Sequence, residues 1–208
     1  MTEPIVHVVD DDENTRKATA RLLGAAGFEA RTYASALDFL NAIDREAHGC
    51  IVLDVRLPDQ SGLELQAALA ARGVPLPIVF VTGYGVIPDS VRAIQRGAVD
   101  FLTKPVDGDV LLTAVGRALA QDAAARTARA RHQSLRSRYE RLTPREREVF
   151  VHLIGGQINK QVAADLQITE RTIKLHRANI LHKLEVGSMA ELARLAVDLG
   201  IDTDEVAS

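Results

Sequence analysis

The 208-residue chain is predicted to form an α/β domain, a doubly wound parallel sheet of five strands, followed by an all-α domain of four helices. Three observations predict this. Short apolar runs alternate with helical patterns five times in the first part of the chain, as in a parallel sheet with helices on both faces. One of those runs, Cys50-Ile51-Val52-Leu53, is unbroken and leads straight into Asp54, as expected of a central strand buried on both faces. Past Leu142 the strand patterns cease. A short helix, a tight turn and a longer helix follow there, the helix-turn-helix arrangement.

Each element has its own signal. Ile5-Val6-His7-Val8-Val9 is an apolar run ending in Asp10-Asp11-Asp12. Asn14 to Ala26 reads as a helix stopped by Gly27, and Phe28 to Tyr33 as a short strand. Ser35 and Asp38 resemble a capping box opening a helix that carries Leu37, Leu40 and Ile43. After the Asp54 strand, closed by Pro58, Ser61 and Glu64 form a second capping box, and that helix ends near Gly73. The strand Pro77–Val81 reaches Thr82 and the loop Gly83-Tyr84-Gly85; a helix after Pro88 ends at Gly97. The fifth strand, Ala98–Leu102, runs toward Lys104-Pro105, and a helix starts at about Gly108.

The polar residues that end these strands point to chemistry. An acidic cluster, Asp54, Thr82 and Lys104 all fall at strand C-termini, where open α/β sheets bind ligands. A single strand-ending Asp could equally cap the next turn. Four such ends carrying this set fit a phosphoryl site better than four unrelated caps. Crowded carboxylates repel one another and call for a cation, and an all-oxygen set completed by water and phosphate suits Mg²⁺.

Charge divides the chain. Residues 1–122 carry 11 Lys/Arg against 17 Asp/Glu, net −6, whereas residues 126–185 carry 13 against 6, net +7. An acidic half followed by a basic one predicts two domains with different partners, the second nucleic acid, although a basic stretch alone could be a solvated face. No run is long and apolar enough for a membrane span, and no basic, apolar leader opens the chain. A cytoplasmic protein without membrane attachment is therefore expected. The lone Cys50 opens a buried strand and can form no internal disulfide, so packing is its expected role.

From Arg117 to Thr143 there is no Gly or Pro, and Ala and Arg dominate. This predicts a continuation of the last helix of the sheet domain, a semi-rigid arm. Thr143-Pro144-Arg145-Glu146 then combines an N-cap, a proline at the first helical position and a capping-box glutamate. Val149, Phe150 and Leu153 form that helix's inner face, before Gly155-Gly156. Asn159 to Leu166 is the short helix, Gln167-Ile168 the turn, and Thr169 caps a helix running to about Leu184; Ser188 and Glu191 open the last. At 100° per residue Ile173, Ile180, Leu181 and Leu184 share an inner face. Arg171, Lys174, Leu175, Ala178 and His182 lie opposite. An ordinary exposed face would look the same, but the helix-turn-helix pattern favours DNA. Lys174 suits guanine acceptors and Leu175 and Ala178 a thymine methyl, while Lys160 is placed for a phosphate.

Val8-Val9-Asp10-Asp11-Asp12, Leu53-Asp54-Val55-Arg56-Leu57-Pro58, Val81-Thr82-Gly83 and Lys104-Pro105 resemble a two-component receiver domain. Leu142-Thr143-Pro144-Arg145-Glu146, Asn159-Lys160 and the run from Thr172 to Ile180 resemble a LuxR-type helix-turn-helix. Together they resemble a NarL/FixJ-family response regulator of the FixJ-like branch. The resemblance spans nearly the whole chain. It implies a flavodoxin-like receiver with strand order 2-1-3-4-5 over residues 1–121, a helical linker over 122–141 and a DNA-binding domain over 142–208.

The same resemblance implies roles. Asp54 is the phosphoacceptor served by a sensor histidine kinase. Asp11, Asp54 and the backbone carbonyl of Arg56 hold Mg²⁺, with Asp10 supporting through water, and Lys104 and the Thr82 hydroxyl contact phosphoryl oxygens. Phe101 matches the switch aromatic that turns inward with Thr82. Phosphorylation is expected to produce a homodimer that binds double-stranded promoter DNA through Lys160, Arg171, Thr172, Lys174, Leu175, Ala178 and His182, with RNA polymerase as a further partner. Val86 departs from the Asp common after the Gly-x-Gly of FixJ-like proteins, and Ala178 is small where some relatives carry a basic residue. An aspartate nucleophile also opens haloacid-dehalogenase-type phosphatases, but their second Asp, an acid/base, is here Arg56, which lacks that chemistry. A DNA-binding protein with the receiver as mere scaffold is the other alternative; the complete set of acceptor residues argues against it.

Overall fold

The computed structural model describes residues 3–83 and 87–201. The chain forms two compact units, Met1–Arg126 and Thr127–Ser208.

The first unit runs β1 (Ile5–Val9), α1 (Glu13–Ala25), β2 (Glu29–Tyr33), α2 (Ala36–Ala42), β3 (Gly49–Leu53), α3 (Gly62–Arg72), β4 (Ile78–Thr82), α4 (Ile87–Gln95) and β5 (Asp100–Thr103). Next comes α5 (Gly108–Glu140), which starts in this unit and ends in the second. The sheet is parallel throughout, in the order β2-β1-β3-β4-β5. Strand β3 is buried at every residue. Its Ile51 and Leu53 pack into one core with Phe39, Leu65 and Phe80, and its Cys50 and Val52 into another with Leu23, Leu111 and Val115. A strand sandwiched in this way must be apolar along its whole length, which accounts for the unbroken run in the sequence.

Register brings the site together. Val9 pairs with Leu53 and Thr82 with Thr103. The residues that follow, Asp10, Asp54 and Lys104, therefore leave the sheet along one edge. At the opposite edge Gly49 starts β3 with φ +125°, a conformation L side chains rarely adopt. A Cβ there would lie 1.9 Å from the carbonyl oxygen of Ile5. The amide of Gly49 donates to the buried Asp122 carboxylate of α5 at 3.0 Å.

Some local expectations change. In α2 Ala36 and Phe39 turn fully inward, whereas Leu37 is 58% exposed. Phe39 stacks edge-on against Tyr33 and His7, and so large an aromatic fixes the roll of a seven-residue helix. Ser35 caps α2 by accepting from the Asp38 amide at 3.0 Å. Strand β5 begins at Asp100 instead of Ala98, because the Ala98 amide still closes the end of α4 by donating to Ala93. The loop residues Tyr84, Gly85 and Val86 lie outside the described residues.

The second unit holds α6 (Pro144–Ile154), α7 (Asn159–Asp165), α8 (Glu170–Leu184) and α9 (Met189–Leu199). Its core joins Val149, Phe150 and Leu153 of α6 to Val162, Ile173, Ile180, Leu184 and Leu192. The turn between α7 and α8 contains Gln167 at φ +54°. Thr143 and Glu146 form a complete capping box at α6, and the Thr169 and Ser188 side chains cap α8 and α9.

Candidate functional site

At the C-terminal edge of the sheet, Asp10 (4% exposed) and Asp54 (7%) are buried and Asp11 is exposed. Ligand oxygens of these three carboxylates lie within 4.8 Å of one another. The Lys104 ammonium bridges two of them, 2.6 Å from Asp10 Oδ2 and 2.5 Å from Asp54 Oδ2. The remaining oxygens of that pair accept backbone hydrogens: Asp10 Oδ1 from the Asp12 amide at 2.9 Å and Asp54 Oδ1 from the Arg56 amide at 3.0 Å. Burial raises the Asp10 carboxyl above its ordinary value, against the opposing pull of Lys104. Burial disfavours the Lys104 charge, but its bonds to Asp10 and Asp54 prevail and hold its pKa above the usual lysine value. The site thus keeps a cation next to carboxylates at neutral pH.

A cleft of about 310 Å³ adjoins these groups, lined by Asp10, Asp54 and Lys104 together with Leu22, Val106 and Leu111. Thr82 ends β4 at 1% exposure, and its carbonyl accepts from the Lys104 amide at 2.8 Å. Phe101 is half-buried on β5, its ring 5.9 Å from that of Phe80. The side chain of Arg56 is exposed.

Two residues that sequence reasoning passed over help to build the pocket. Gly62 opens α3 so close to the Asp54 loop that a Cβ would lie 2.4 Å from the carbonyl oxygen of Asp54. The Arg16 guanidinium donates to the backbone carbonyls of Asp10 and Asp11. The sequence signal for Gly62 was weak, a small residue directly after an N-cap. For Arg16 there was none beyond its position one turn into α1.

In the second unit, the expected DNA-facing side chains are exposed except for Thr172. Lys160, Arg171, Lys174, Leu175, Ala178 and His182 are exposed, Leu175 at 61%. Opposite them Ile173, Ile180 and Leu184 are fully buried and Leu181 half-buried. Thr172 is half-buried, and its hydroxyl lies 2.9 Å from that of Thr169 at the helix cap. Much of the positive charge here has structural work. Lys183 pairs with the buried Glu146 at 2.6 Å, Arg145 donates to the Leu166 carbonyl at 2.6 Å, and Arg141 donates to the Lys183 carbonyl at 2.7 Å. Burial pushes the Glu146 carboxyl up, but Lys183 and the Thr143 cap outweigh it and hold it below its ordinary value.

Fold and pocket together are those of a receiver domain, and the helical unit is a helix-turn-helix. Residues 6–116 match the response regulator receiver domain, and residues 140–196 match the bacterial regulatory proteins of the luxR family. The response regulator protein TodT of Pseudomonas putida is 40% identical over 92% of this chain and 84% of its own length. The solved structure of response regulator StyR superimposes with a TM-score of 0.87 at 44% identity, covering 94% of this chain and 99% of that one. Full-length FixJ from B. japonicum gives a TM-score of 0.59 at 39% identity, covering 97% and 99%. The chain belongs to the NarL/FixJ family of transcriptional response regulators, with a receiver followed by a LuxR-type DNA-binding domain.

Proposed function

We propose that Asp54 accepts a phosphoryl group from the phosphohistidine of a sensor kinase and that this governs binding of α8 to promoter DNA. The observation that carries this reading is the meeting of Asp10, Asp11, Asp54 and Lys104 at one sheet edge. A carboxylate oxygen of Asp54 forms the new bond to phosphorus as the bond to the histidine nitrogen breaks, and the imidazole leaves with that electron pair. Such transfers need positioning and charge neutralisation more than covalent help. Lys104, already in contact with Asp54, pairs with an oxygen of the incoming group. The Thr82 hydroxyl, at the end of the adjacent strand, takes another, and Phe101 follows Thr82 inward.

Three carboxylates with converging oxygens, one of them open to water, fit a hard cation with several water ligands. Asp10, Asp11, Asp54 and the Arg56 carbonyl are the residues that would hold Mg²⁺, which when bound offsets the negative charge of carboxylates and phosphoryl group. On the DNA side, Lys174, Leu175 and Ala178 read base edges from the major groove, with Arg171, Thr172 and His182 beside them; Lys160 holds a phosphate. Phosphorylation brings two copies together so that two recognition helices meet two half-sites, and the bound dimer works on RNA polymerase. Residues 1–121, 122–141 and 142–208 serve as receiver, helical linker and DNA-binding domain, in a cytoplasmic protein; among the described residues no helix is long and apolar enough to cross a membrane.

The test is acetyl phosphate with Mg²⁺ on the full chain, followed by intact mass. One phosphoryl group is expected, and Asp54→Asn should abolish it. Undiminished, acid-stable labelling of that variant would overturn the assignment. Steady phosphate release from small phosphoesters would instead support a phosphatase.

A further inference from the structure

We propose that Arg16 is a positioning residue for the acidic site: its guanidinium clamps the turn between β1 and α1 so that Asp10 and Asp11 present their carboxylates side by side. One terminal nitrogen of Arg16 donates to the Asp10 carbonyl at 2.6 Å and to the Asp11 carbonyl at 2.8 Å. The side chain is half-buried. It springs from the helix that the same turn begins: Asp12 caps α1 by accepting from the Thr15 amide at 2.6 Å, and the Arg16 amide donates to the Asp12 carbonyl at 2.9 Å. The turn is therefore held at both ends by one short stretch of α1.

The choice of acceptors is what makes this a positioning role. Asp10, Asp11 and Asp54 place three carboxylates within 4.8 Å, and their mutual repulsion favours an opened turn. A cation that paired with the carboxylates would relieve the repulsion but occupy the oxygens a metal needs. Arg16 instead takes the backbone carbonyls through charge-assisted bonds and leaves those oxygens to Lys104, to backbone amides and to an incoming cation.

Position and charge predict opposite outcomes, which makes the inference testable. A positive group close to a cation site weakens binding by repulsion. If Arg16 acted through its charge alone, removing it would tighten metal binding. If it positions the turn, removing it loosens binding, and loss of such outer supports typically costs roughly ten-fold or more in metal affinity. The inference rests on the reading of this pocket as a Mg²⁺ site. The measurement is Mn²⁺ binding to the full-length chain, followed by the electron paramagnetic resonance of free Mn²⁺, for the unaltered protein, Arg16→Gln and Arg16→Lys. Thermal unfolding in EDTA reports separately that each variant is folded. The expected result is a dissociation constant raised roughly ten-fold in Arg16→Gln, with Arg16→Lys in between, because a lysine has the hydrogens but not the reach. Unchanged or tighter binding by folded Arg16→Gln overturns the clamp. Failure of both variants to fold also overturns it, since Arg16 would then serve the fold and not the site. Failure of the unaltered protein to bind Mn²⁺ would overturn the pocket's reading as a cation site instead.

Discussion

Asp54 owes its place to neighbours that tolerate no bulk and supply fixed donors. Gly62 lets α3 start against the Asp54 carbonyl, while the Arg56 amide and Lys104 hold the two carboxylate oxygens of Asp54. Asp59, from the same loop, accepts from the Ala36 and Leu37 amides at 3.2 and 2.7 Å and so ties the Asp54 loop to α2. A second buried group has a measurable consequence for pH. His7, 3% exposed in β1, has its pKa lowered to about 4, first by burial and then by the charge of Arg31. The folded chain thus disfavours the proton that the unfolded chain takes up near pH 6.5. Stability from this group is fully present above that value and is lost as pH falls toward 4. Relative to His7→Gln, which does not titrate, the protein should lose about 2 kcal/mol more between pH 7 and pH 5. Urea midpoints at the two pH values measure this. Equal losses in both proteins would show that His7 is not held neutral.

At the scale of elements, α8 divides its work between its two sides. Ile173, Ile180 and Leu184 anchor it in the core, which leaves Arg171, Lys174, Leu175 and Ala178 on a surface without packing duties. Lys174→Ala should cost roughly 1–3 kcal/mol on the preferred site and relax base preference at one position. Lys160→Ala, on α7, should weaken all sequences alike and flatten the salt dependence. Binding titrations on specific and random duplexes at several salt concentrations separate the two. Equal losses on both duplexes for Lys174→Ala would contradict its assignment to base edges. The α6 start shows the converse economy: Glu146 completes the capping box and also pairs with Lys183, so part of the basic excess in this unit serves folding and not DNA.

For the molecule as a whole, a single helix-turn-helix reads too few base pairs to be specific, and specific binding calls for two about one helical turn apart. Helix α4 has Val91 and Ile94 about half exposed and lies in the chain between β4, which ends at Thr82, and β5, which leads to Lys104. A symmetric contact between two receivers across this helix–strand face is the proposed consequence of phosphorylation. Sedimentation of the full chain with and without beryllium fluoride should show a doubling of mass with the phosphoryl mimic. A mass that stays monomeric in both states while DNA affinity rises would exclude dimerisation as the switch and favour uncovering of the DNA-binding domain.

The sequence by itself determined the succession of elements, the strand ends that carry Asp10, Asp54, Thr82 and Lys104, and the two faces of α8. Those features are local: period two or 3.6, capping residues and turn residues all act within a few positions of one another. Only the tertiary structure decided which groups touch. Lys104 reaches Asp10 across 94 positions of chain and Asp54 across 50, and Asp122 meets the Gly49 amide across 73. The roll of α2 onto Phe39, the approach of Gly62 to the Asp54 carbonyl and the grip of Arg16 on two backbone oxygens likewise depend on strand register and packing. None of these leaves a period in the sequence, because a contact between distant positions is specified by the sum of the pairings between them and not by the residues on either side.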